Sequence, residues 1–362
     1  MKFSAFKFTP AIALIFLLLT DIPAKSETSS QLMAERASNG LLTASKLDCP
    51  TPAEITDLIL QEKFEEFEKW AKYYEKQFSK DPLYEAPLVD LYDGIDPENG
   101  FLPDKLTKWV NTRPSYISYA ARGIYKANQG WVIRGDKYVK DTPPENLYGM
   151  HLSHEEAKPD LLTAIKLNKK FSPAYCSLIG VEMAKGDSYG TTSIHDLAVR
   201  SIPETYYVRY DYLRSLQPRW GGSFELMQEY ADGLDKAVKK NPRIWSLKGE
   251  VAAERGKTAW QDKDYNSAIQ YYTEALSYGD RKNFLKYRGR LYMLVGQDAL
   301  ALENFQKFRK YDNADKAVTA YIVSLTEKLG MNSPQKNETP NKSFQPTSFW
   351  QFRSRPYIPN LP

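Results

Sequence analysis

The chain has 362 residues, a formal net charge of +4, and 16 Phe, 25 Tyr and 7 Trp. That aromatic content supplies a packed core and excludes general disorder, while the length allows one large or two modest domains. A charge so close to zero gives no electrostatic case for nucleic acid or an anionic membrane as partner.

Lys2 and Lys7 precede an unbroken apolar run from Ala11 to Leu19, too short to span a bilayer as a helix. Ala24-Lys25-Ser26 follows, with small residues where a signal peptidase reads. The pattern predicts a signal peptide over 1–26, cleaved near Ser26/Glu27, and a mature chain that is periplasmic or secreted. An uncleaved N-terminal anchor is the competing reading. No later segment is apolar and long enough for membrane insertion. Residues 27–50 are polar and read as a flexible segment. Cys49 falls in it and Cys176 in a helical apolar run, which leaves two readings open: one disulfide in an oxidising compartment, or a small buried hydrophobe at Cys176.

A helical domain is expected over 51–245. Thr51-Pro52 opens its first helix, with Ile55, Ile59, Phe67, Trp70, Tyr74 and Phe78 on one face, and Asp81-Pro82 ends it. Residues 85–103, acidic and rich in Pro and Gly, read as a loop. A short helix follows from Asp104 to Trp109, then a long one from Tyr116 to about Tyr138 with Tyr119, Gly123 and Ala127 as a close-packing stripe. Helical runs near 154–169, 173–185 and 193–200 lead to Tyr206, Tyr210 and Leu213, which share one helix face. Pro218 stops that helix, and Arg219, Trp220, Gly221, Gly222 and Ser223 form a corner in which Ser223 caps the next helix. The corner reads as structural. Its glycines could also present N–H groups to an anion beside Arg219, but a plain turn is preferred.

Past the corner, 246–330 contains an internal repeat. An offset of 33 residues carries Gly256 to Gly289, Ala268 to Ala301, Tyr272 to Phe305 and Ala275 to Phe308. This resembles a pair of tetratricopeptide repeats, one residue short of the usual ~34 and lacking the closing proline. No segment alternates with period two, so the fold class is all-α: antiparallel helical hairpins stacked as an α-solenoid. The tail over 331–362 is basic and punctuated by aromatics and prolines, and reads as disordered.

Lys108-Trp109-Val110-Asn111-Thr112-Arg113-Pro114, Trp131-Val132-Ile133-Arg134-Gly135 and Pro218-Arg219-Trp220-Gly221-Gly222-Ser223 stand out in the first domain. With Ala120-Ala121-Arg122-Gly123 and Pro173-Ala174-Tyr175, they resemble the bacterial family called domain of unknown function 4034, over roughly residues 55–245. The resemblance implies a bacterial, helical-repeat-like protein and no chemistry.

No catalytic set emerges. His151 and His154 could hold a metal, but they read as the start of a helix, so no metal or cofactor is expected. The leading reading is therefore a protein-interaction module or scaffold. The resemblance to tetratricopeptide repeats implies that the first helix of each repeat lines a concave face. That places Lys257, Trp260, Asn283, Lys286 and Arg290 toward a groove for another protein or an acidic peptide. The alternative is an envelope hydrolase with its site near Trp220, which buried charges around the corner would favour.

Overall fold

The computed structural model describes residues 23–331. The apolar run from Ala11 to Leu19, on which the signal-peptide expectation rests, and the tail after Met331 lie outside the described residues. Among the described residues, seventeen α-helices and four 3-10 turns make up the regular structure.

Helices α1 (Pro23–Ala44), α2 (Pro52–Leu60), α3 (Phe64–Phe78), α4 (Glu85–Asp93) and α5 (Leu102–Thr112) open the fold. The hairpin of α6 (Tyr116–Arg134) and α7 (Pro144–Leu167) follows, then α8 (Ser172–Lys185), α9 (Ser188–Ser201) and α10 (Tyr207–Ser215). The first helix opens at Thr51-Pro52 as expected, and Thr51 caps α2: its Oγ1 accepts from the Glu54 amide at 3.3 Å, and Glu54 accepts from the Thr51 amide at 2.8 Å. The first core forms around Trp109, which lies parallel to Phe64 at 5.0 Å and edge-on to Phe67 at 5.1 Å. Its Nε1–H donates to Glu68 at 3.1 Å, and the same carboxylate takes two bonds from Arg113 at 2.9 Å.

Three expectations are corrected. Residues 85–93 are helical, not a loop, because α4 is buried on nearly all sides and so lacks an amphipathic period. Glu85 explains its position: the buried carboxylate accepts from the Tyr206 amide at 2.6 Å and from the Thr205 hydroxyl, bonding the amides at the start of α10. Helix α7 begins ten residues earlier than expected, with Pro144 at its first position, so His151 and His154 lie inside it. For the cysteines, where two readings were open, the structure has two free, buried thiols. The Cys49 thiol donates to the Pro87 carbonyl at 3.7 Å, and Cys176 is buried in α8. Finally, residues 27–44 are not a loose segment but most of α1, whose apolar stripe of Met33, Ala37 and Leu41 is seated on the rest of the chain.

After the corner, α11 (Phe224–Asp232), α12 (Asp235–Val238) and a 3-10 stretch Pro242–Gly249 lead into the repeats. These are two hairpins, α13 (Glu250–Gln261) with α14 (Tyr265–Leu276), and α15 (Lys282–Leu294) with α16 (Asp298–Arg309), closed by α17 (Lys316–Lys328). The 33-residue offset is a packing equivalence. A Cβ on Gly256 would meet Tyr272 at 3.2 Å, and one on Gly289 would meet Phe305 at 2.8 Å. Helix α1 crosses the 3-10 stretch and reaches the repeats, where Ser38 Oγ accepts from the Asp280 amide at 2.8 Å.

Candidate functional site

The corner at 218–223 is a short 3-10 turn, Pro218–Trp220, followed by Gly221 with φ 88°. Gly222 approaches α10 so closely that a Cβ there would lie 2.0 Å from the Leu216 carbonyl oxygen. Ser223 caps α11, its Oγ accepting from the Leu226 amide at 3.2 Å. Half-buried Trp220 packs edge-on against Trp131 at 5.7 Å, with the Arg134 guanidinium 5.6 Å from its ring centre and that of Arg219 at 5.8 Å. Two segments quoted separately for the family resemblance, Trp131-x-x-Arg134 and Arg219-Trp220, thus form one cation–aromatic cluster.

This corner faces the repeats across a cleft of about 40 Å³, lined by α10, the corner, α13, α14 and α15. Four cations enter it. Arg281 bonds Glu250, and its guanidinium lies 4.8 Å from the Tyr210 ring centre. Arg214 pairs with Asp211 at 3.4 Å, and Lys257 with Glu254 at 3.5 Å. Arg219 instead donates through Nε and Nη2 to the amide oxygen of Gln217, at 2.9 and 2.6 Å. Burial pulls the Lys257 ammonium down to about 8, with a further push from Arg219. Burial likewise lowers Arg219, and it raises Glu250 against the opposing pull of Arg281.

Of the five groove residues expected, Lys257 and Asn283 line this cleft. The other three do not. Trp260 is 1% exposed and lies under the Arg290 guanidinium at 5.2 Å, so it offers no apolar surface to a ligand. Lys286 is held by Asp315 at 2.5 Å. Counting within the repeat missed Arg214, Arg281 and the second role of Arg219, whose approach depends on how the repeats stack on α10. His154 is buried and bonds the Ala127 carbonyl at 3.2 Å. Among the described residues, no group of three or more His, Cys, Asp or Glu converges as a metal site.

No family model matches the chain, so the resemblance to domain of unknown function 4034 rests on the quoted segments alone. No curated protein matches either. Among solved structures, the chain is similar to one described as the crystal structure of the APC/C hetero-tetramer Cut9-Hcn1, with 16% identity and a TM-score of 0.38. The match covers 86% of this chain and 52% of that one, so the chain spans about half its length. That similarity is too distant to carry a partner or an activity from one to the other.

Proposed function

We propose that the chain is an exported helical-repeat scaffold of a bacterial envelope that binds another protein through a carboxylate seated at Arg219. The observation that carries the reading is the charge pairing of the cleft. Asp211, Glu250 and Glu254 pair with Arg214, Arg281 and Lys257, and Arg219 is left with a neutral amide. An arriving carboxylate would take a charge-assisted, bidentate bond from that guanidinium. A space of this size holds a few waters or one carboxyl group. An acidic peptide would therefore enter by a single side chain or its C-terminus, rather than lie extended along the groove.

The test uses protein recovered from the envelope fraction, whose intact mass is expected to place its N-terminus at or near Glu27. A mass beginning at Met1 would remove export from the reading. Binding of peptides with acidic C-termini is then measured at low and high salt. Arg219→Gln is expected to weaken binding about tenfold, roughly 1.4 kcal/mol, with Tm unchanged. Lys286→Ala/Arg290→Ala should leave affinity as it was. Equal affinities for Arg219→Gln and the parent would overturn the proposal.

The hydrolase reading has one observation in its favour, the buried charges at the corner. Lys257 is brought by burial to about 8, within reach of neutrality. The three acids are each paired with a cation, which favours binding over acid–base work. Turnover of envelope fragments that is abolished by Lys257→Met would reverse that preference.

A further inference from the structure

On the other side of α10 lies a larger pocket of about 630 Å³, between α9, α11 and α12. Its size is that of a small-molecule site. Val199, Pro203, Leu216, Leu226, Leu234 and Ala237 give it apolar walls. Arg209, only 7% exposed, is part of the lining. The Arg209 guanidinium donates from Nη1 to the Thr205 carbonyl at 2.5 Å and forms no ion pair among the described residues. The fields of two carboxylates, Glu85 and Glu204, reach it, but neither forms an ion pair with it, and Glu85 is committed to Thr205 and the start of α10. A cation removed from water without an anion beside it is costly, and sites that keep one have a use for it.

The neighbouring polar groups do not supply that anion. His195 stacks on Tyr212 at 4.0 Å, meets Asp196 through Nδ1 at 3.0 Å and Tyr230 Oη through Nε2 at 2.8 Å. Burial holds the imidazole near 4, against the pull of Asp196, so it is neutral. With Nδ1–H donating to Asp196, the Tyr230 hydroxyl donates to Nε2. Lys236 and Lys240 also line the pocket and are exposed, against Glu229 as the one acid of the lining, and would draw an anion inward.

We infer that this pocket binds a small monocarboxylate with an unbranched apolar tail, its carboxylate on Arg209 and its tail along the leucine-lined wall. The site is independent of the Arg219 cleft, and either can fail without the other.

Calorimetric titration of the full chain with sodium octanoate, 1-octanol and octylamine tests it. Octanoate is expected to bind about tenfold or more tighter than octanol, and octylamine most weakly. Arg209→Gln should bring octanoate to the octanol level while octanol is unaffected. Leu226→Trp, at an exposed wall position, should block both ligands without changing the melt, and it serves if Arg209→Gln folds poorly. Equal binding of octanoate and octanol, no binding of either, or an unchanged preference in Arg209→Gln would overturn the assignment. So would tighter binding of N-acetyl-leucine than of octanoate, which would point to a protein C-terminus instead.

Discussion

His154 carries its proton on Nε2, which donates to the Ala127 carbonyl, while Nδ1 is buried with no partner. A second proton would place a charge in that apolar space, so burial lowers the imidazole to about 4. His195 is lowered to about the same value. In both, the unfolded chain, titrating near 6.5, binds the proton first. Stability is therefore complete above about pH 6.5 and falls as pH drops toward 4, by up to about 1.4 kcal/mol per pH unit for each histidine. Denaturation midpoints between pH 6.5 and 5 should fall less steeply for His154→Gln than for the parent, the difference isolating that one group. Parallel curves would show that His154 does not titrate in this window. At this scale the sequence was only partly legible. Lys257 and Asn283 follow from counting within a repeat, since period fixes which face a residue occupies. Depth depends on neighbours far along the chain, which is why Trp260 proved buried and why Arg209, which shares its pocket with residues of three other segments, went unseen.

Gly256 and Gly289 occupy the same place in successive hairpins, and the packing against each differs in tightness. Alanine in place of glycine inside a helix brings roughly 1 kcal/mol by propensity alone. At Gly256 the nearest ring atoms lie at 3.2 Å, close enough to absorb a methyl with small shifts. At Gly289 the ring of Phe305 stands at 2.8 Å and is itself stacked on Tyr321 at 5.1 Å, so it cannot swing away. Overpacking there costs about 1–3 kcal/mol. Urea denaturation should find Gly256→Ala close to the parent and Gly289→Ala destabilised by up to about 2 kcal/mol; the reverse order would refute the argument. The hairpins were legible because small residues and aromatics recur at a fixed offset. Helix α4 was not: Ala86, Leu88, Val89, Leu91 and Tyr92 are all buried, leaving no polar face to mark a period.

A row of stacked hairpins in which each touches only its neighbours tends to lose cooperativity as it lengthens. Here α1 bridges that row. Leu41 packs both with the cluster around Leu213 and Leu247 and with the one around Phe305 and Phe308, and Gly279 lies against Ala34 and Ala37. Removal of residues 27–44 is expected to lower Tm and split a single calorimetric transition into two, the repeats melting first. One unshifted transition would show that α1 adds nothing to the coupling. This bridging was hidden in the sequence because a polar, weakly amphipathic stretch after a short apolar run resembles a linker. It also sets an order of events during synthesis. Ser38 and the Asp280 amide it receives are 242 residues apart. At about 5–20 residues per second, roughly 12–48 s pass between their emergence from the ribosome. Through most of that interval the residues within 206–251 that seat Met33 and Leu41 are not yet made, so the first described helix docks long after its own synthesis.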